Sequence, residues 1–172
     1  MADLPTLELG TYTDVNLTTI VGSDPVLEAI ASADDADYLQ AGLTNSTHTA
    51  VAQFTLANMP TDFDVIETLS VQLRYAWETG TQVNSWNSLT AQVFESDGTT
   101  ALTDAATLAT DITTTDPTNS SVIEFTGVNT TAGKSVWDDA VVRISIDITK
   151  SMAGDTLGKR VFAAELTRYI YC

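Results

Sequence analysis

His48 is the only histidine among 172 residues, so acid–base chemistry near neutral pH would fall to it or to carboxylates. It sits in Asn45-Ser46-Thr47-His48-Thr49. A Ser–His–Asp triad on it would need an activated nucleophile, and no nucleophile-elbow pattern accompanies it. It reads as a solvent-facing histidine at the entrance to a strand. Carboxylates cluster at Asp34, Asp35 and Asp37, at Asp62 with Asp64, and at Asp138 with Asp139. Glycoside hydrolysis needs two carboxyl groups across a sugar cleft at a defined separation. In a chain with 23 acidic residues closeness in sequence says little, and solvated loops are the expectation. Asp34, Asp35 and Asp37 have the hard oxygens that Ca²⁺ takes, yet the run lacks the spacing and central glycine of an EF-hand loop. They are the weak metal candidates, and a solvated turn is the expectation. Cys172, the lone cysteine, leaves no internal disulfide and no thiolate cluster. The chain has no glycine-rich phosphate cradle, zinc spacing or Walker-type lysine. The reading is a protein without catalytic residues or cofactor, and not an enzyme.

The aromatic residues offer contact chemistry instead. Trp77 ends a strand on its apolar side and is expected in the core. Trp137, in Lys134-Ser135-Val136-Trp137-Asp138-Asp139-Ala140, is expected to cap one end of the domain. Trp86 lies in the polar run Val83-Asn84-Ser85-Trp86-Asn87, where an exposed indole would stack on a sugar or plug a neighbouring subunit. Packing remains the equal alternative for it. Tyr38 and Tyr75 are further members of a candidate aromatic platform. Near the N-terminus, Leu4, Leu7, Leu9 and Tyr12 are the interface candidates.

The elements that must hold these residues are strands. Thr49–Leu56 alternates, with Ala50, Ala52, Phe54 and Leu56 on one side. In Val65–Trp77 the residues Val65, Leu69, Val71, Leu73, Tyr75 and Trp77 share a face interrupted by Glu67, a period of two and not of 3.6. Val142, Ile144, Ile146 and Ile148 alternate with Arg143, Ser145, Asp147 and Thr149. Leu89–Glu95, Ala101–Leu102, Leu108–Ile112, Val122–Val128 and Arg160–Tyr171 complete the set, with turns at Met59–Asp64 and Ser96–Gly98. Helical turns are expected only at Ser135–Asp139 and Pro25–Ala31. About eight strands with polar loops predict an all-β, two-layer antiparallel sandwich of jelly-roll type. Residues 1–24 lack a sustained pattern and read as an extended N-terminal arm that docks on the domain or on a neighbouring subunit, leaving 25–172 as the sandwich domain.

Composition agrees. Threonine, with 29 copies, suits pleated strands with a wet side. The net charge of −16 opposes nucleic acid and anionic membranes. No apolar run is long enough to span a bilayer, and no secretory signal is visible at the start.

The run Asp34-Asp35-Ala36-Asp37-Tyr38, then Met59-Pro60-Thr61-Asp62-Phe63-Asp64 and the strand Ile66–Tyr75, followed later by Gly133-Lys134-Ser135-Val136-Trp137-Asp138-Asp139-Ala140 entering Val141–Ile148, resembles a broad group of phage structural modules. These are jelly-roll, carbohydrate-binding-module-like domains of capsid decoration proteins, head fibres and tail fibres. The likeness spans residues from about 20 to 171 as a diffuse pattern and carries over no catalytic residues. It implies a virion protein, assembled in the host cytoplasm, that oligomerises, with a homotrimer favoured. The expected function is capsid decoration (cement) on the major capsid protein. The alternative is a glycan-binding module of a tail or head fibre.

Overall fold

Alternating apolar and polar side chains give a strand one dry side and one wet side, and two such sheets remove their dry sides from water by facing each other. The computed structural model takes this solution. It describes residues 9–15, 17–21, 38–42, 48–56, 59, 61, 63–77, 85–110, 118–149 and 158–171. The strands are β1 (Leu9–Val15), β2 (Leu17–Val21), β3 (Tyr38–Gly42), β4 (His48–Leu56), β5 (Ile66–Trp77), β6 (Ser85–Phe94), β7 (Ala106–Thr110), β8 (Thr118–Asn119), β9 (Ile123–Glu124), β10 (Val141–Thr149) and β11 (Gly158–Tyr171). One helical turn, α1 (Lys134–Trp137), precedes β10.

A five-stranded sheet runs β1-β4-β10-β6-β7. A six-stranded sheet runs β2-β3-β11-β5-β8, with β9 also on β5. The named pairings are all antiparallel. The protein is thus an all-β antiparallel sandwich. From β3 onward the chain alternates between the sheets, except at the β6–β7 hairpin and where β8 and β9 line the same strand.

The inward side chains form one cluster: Ala52, Phe54 and Leu56 of β4, Leu89, Ala91 and Val93 of β6, and Val142, Ile144 and Ile146 of β10 join Leu69, Val71 and Leu73 of β5. Fully burying each large member contributes roughly 1.5–3 kcal/mol. Met59, Phe63, Leu102, Phe125 and Trp137 close the cluster between strands.

Several expectations change in detail. The interruption at Glu67 is a bulge: Tyr171 lies opposite Ile66 and Ile170 opposite Thr68, so β5 has one residue more than β11 there. The extra residue reverses the facing of what precedes it. Ile66 is therefore buried, while Val65 is only partly so. Val122–Val128 is not a continuous strand. Only Ile123–Glu124 pair, Val122 is exposed, and Gly127 turns the chain at φ 61. Trp137 belongs to the core and is fully buried. The N-terminal stretch is extended where described, and of its two expected seats it takes the domain: β1 lies along β4 and β2 along β3. The helical turn expected at Pro25–Ala31 lies outside the described residues.

Candidate docking face

The wet side of the five-stranded sheet is a lattice that the register defines row by row. Thr55, Val141 and Phe94 form one row across β4, β10 and β6, and Gln53, Arg143 and Gln92 the next. Val51, Ser145 and Thr90 follow, then Thr49, Asp147 and Ser88, with Thr107 and Thr110 of β7 extending the last two rows. Among the described side chains of these four rows there is one cation, Arg143, and one anion, Asp147, both on the central strand. The charges of these rows cancel in a chain of −16, and the Asp97 carboxylate stands at their end.

Both charges are braced by their neighbours. Arg143 donates to Gln53 Oε1 from Nε at 3.3 Å and from Nη2 at 3.1 Å, and Nη2 also donates to the Gly98 carbonyl at 2.6 Å. Its guanidinium lies 4.2 Å from the centroid of the Phe94 ring, a cation–π arrangement. Asp147 accepts from Thr49 Oγ1 at 2.6 Å and from Ser88 Oγ at 3.0 Å, one hydroxyl on each carboxylate oxygen. A planar guanidinium held at three points and a carboxylate held at two have little rotamer freedom left to lose on contact with a partner.

The hairpin between β6 and β7 folds over one end of this face. Gly98 sits at φ 66 and closes a turn by donating to the Glu95 carbonyl, a conformation that glycine adopts without strain. Asp97 Oδ1 accepts from the backbone N–H of Thr99 and of Thr100, both at 2.8 Å, and Oδ2 accepts from Thr100 Oγ1 at 2.7 Å. The Thr100 N–H and hydroxyl, then the Thr99 N–H, hold the Asp97 carboxyl well below the usual carboxylate range. A recess of about 260 Å³ opens between the hairpin and the sheet, lined by Gln53, Thr55, Ser96, Asp97, Gly98 and Val141, with Phe54 behind.

Away from this face, α1 clamps the β4–β5 connection. Lys134 Nζ donates to the Met59 carbonyl at 2.6 Å, and Asp138 Oδ1 accepts from the Met59 N–H at 2.7 Å. Lys134 and Asp138 pair at 2.8 Å. Partial burial pulls the Asp138 carboxyl up, but the Lys134 and Met59 hydrogen bonds and the Lys134 charge outweigh it and hold the pKa below the ordinary value.

The residues singled out from sequence are dispersed. Trp86 lies in β6 opposite Ile148, Tyr38 begins β3 opposite Val21, and His48 begins β4 opposite Ile148. Leu9 and Tyr12 lie in β1 opposite Leu56 and Phe54. The side chains of these five, and of Trp77 in β5, lie outside the described part. Leu4, Leu7, Asp34, Asp35, Asp37 and Cys172 fall wholly outside the described residues. Tyr75 is partly buried and packs against the core. Among the described residues no three His, Cys, Asp or Glu side chains group as a metal site would require. Gln53, Arg143 and Asp147 carry no motif of their own in the sequence. The available signal was the polar side of the alternation in β10, which put Arg143 and Asp147 on one face. Comparison with protein-family models and with curated proteins finds no match.

Proposed function

We propose that this chain is a non-enzymatic structural protein of a bacteriophage virion: a jelly-roll capsid decoration protein that docks on the outer surface of the major capsid protein and stabilises the head. The observation that carries the reading is the neutral, hydrogen-bonded lattice around Arg143 and Asp147 on a chain of net charge −16. Against a surface that is not itself basic, a strongly acidic protein docks at least cost through a face that carries little net charge. Many weak contacts of this kind add up when the lattice presents many copies, and a homotrimer would multiply them further. Strand order also supports the reading. With β1 and β2 set aside, β3-β11-β5-β8 faces β4-β10-β6-β7, the order of a doubly wound Greek key, a fold that viral capsid and lectin domains share.

A second reading has one observation of its own. The recess beside the hairpin offers the Asp97 carboxylate, the Gln53 amide and the Thr55 and Ser96 hydroxyls around the apolar Val141, a mixture that suits a sugar. This favours a glycan-binding module of a tail or head fibre. Cosedimentation with capsids of the encoding phage, run beside a glycan array, separates the two. The decoration reading expects pelleting with capsids and an empty array. A protein that stays in the supernatant and is retained on glycans is an adhesin module.

A further inference from the structure

Each sheet ends, on one lateral side, in an edge strand that breaks off and resumes. The break is built the same way twice. On β6, the Val93 N–H donates to Thr103 Oγ1 at 3.1 Å, and the Val93 carbonyl accepts from the N–H of Thr103 at 3.3 Å and of Leu102 at 2.8 Å. The Thr103 carbonyl, which a regular ladder would point at Val93, is turned aside and accepts from Gln92 Nε2 at 2.8 Å. On β5, the Leu73 N–H donates to Ser120 Oγ at 3.0 Å, and the Leu73 carbonyl accepts from the Ser120 N–H at 2.7 Å. The Ser120 carbonyl is likewise turned aside and accepts from Gln72 Nε2 at 2.9 Å. In both sheets a buried hydroxyl replaces a ladder carbonyl, and the preceding glutamine holds the displaced carbonyl. Thr103 and Ser120 are 3% and 6% exposed, so the strand N–H groups they satisfy have no ready recourse to water.

We propose that Thr103 and Ser120, each with its glutamine, are matched edge locks that keep a strand of a second copy of this chain from adding to either sheet on this side. A regular edge strand presents a row of open N–H and C=O groups to any other chain, and a bulge that breaks the row removes the template. Here the interruption divides β8 from β9 and separates Thr103 from β7. Backbone near both breaks is drawn into bonds between the two edges: the Asp104 N–H donates to the Thr126 carbonyl at 2.8 Å, and the Asn129 N–H to the Leu102 carbonyl at 2.9 Å. The two edges are sewn to each other, which leaves less of either for an incoming strand. The inference is independent of whether the partner is a capsid or a glycan.

The test uses two kinds of variant on the full chain. Thr103→Val with Ser120→Ala removes both hydroxyls at nearly constant shape. Gln72→Met with Gln92→Met keeps the hydroxyls but frees both carbonyls to swing back into the ladder. Singly, Thr103→Val raises amide hydrogen exchange at Val93 by about tenfold and leaves Leu73 unchanged, and Ser120→Ala does the converse, the loss of one hydrogen bond each. Thr103→Ser, which keeps the hydroxyl, exchanges as the parent does. In analytical ultracentrifugation both double variants gain mass with concentration beyond the parent. Unchanged exchange at both amides, or a folded double variant of either kind that keeps the parent's mass at every concentration, overturns the proposal. If loss of the hydroxyls unfolds the chain, the glutamine variant decides alone.

Discussion

Asp138→Ala probes the clamp between α1 and the β4–β5 connection. The substitution leaves the Met59 N–H without its acceptor at 2.7 Å and Lys134 without its anion at 2.8 Å. A hydrogen bond to a charged group is worth about 1.5–3 kcal/mol when well shielded. Asp138 and Lys134 keep 24% and 33% of their side-chain surface, so the lower end applies, and the i,i+4 ion pair adds only about 0.3–0.5 kcal/mol. The expected loss is therefore about 1.5–2 kcal/mol at pH 7. Lys134→Ala, which keeps the Met59 N–H bond, costs about 1 kcal/mol or less. The sign of the pH dependence follows from the lowered Asp138 pKa: the contribution is complete above the unfolded-state value of about 3.9 and fades as pH falls through the depressed folded value. Urea unfolding followed by tryptophan fluorescence, with Trp137 buried beside the clamp, measures it. The parent and Asp138→Ala should differ by a constant amount from pH 7 to pH 5 and converge in stronger acid. A difference below about 0.5 kcal/mol at pH 7, or one that persists unchanged in strong acid, would refute the reasoning.

Three other perturbations follow from the same structure. Gly127→Ala places a methyl group 2.6 Å from the Asp104 carboxylate at a residue with φ 61, and should cost about 1–3 kcal/mol in chemical denaturation. Phe54→Ala empties the centre of the core and should lower stability by about 3–5 kcal/mol in the same assay. Arg143→Lys loses the fork that spans Gln53 and Gly98. It should speed amide exchange within the 95–100 hairpin while leaving β4 protected, since a point charge does not reproduce planar bidentate contacts.

Much of the fold was legible because burial on one side of a sheet forces a period of two. The facing of Phe54 and Leu56, and of Ile144 and Ile146, follows from their alternation with polar neighbours, and their burial agrees. The bulge at Glu67 was visible only as an interruption. Its effect depends on Ile170 and Tyr171, about a hundred residues further on, because register belongs to a pair of strands and not to one. The break-up of Val122–Val128 was hidden for a related reason. Gly127 takes a left-handed turn that alternation cannot signal, and only the partner strand β5 decides that pairing is confined to Ile123–Glu124. The polar lattice was half legible. Arg143, Ser145 and Asp147 share a face by parity alone, yet their neighbours Gln53 and Ser88 come from strands some 90 and 59 residues away. Aromatic residues drew attention as site candidates because of their contact area. The polar lattice is spread over residues that are unremarkable one at a time, and it becomes visible only when the strand order is known.

The most direct test of the proposed docking face is to add charge to its middle without disturbing the core. Thr90 and Ser145 lie side by side there, both half-buried on the wet side. If the proposed capsid-decoration reading holds, the variant Thr90→Glu, Ser145→Glu should keep the parent's circular dichroism and lose the cosedimentation with capsids that the reading expects of the parent, because two carboxylates desolvated without a partner oppose contact. A folded variant that pellets with capsids as fully as the parent would contradict the assignment of this face.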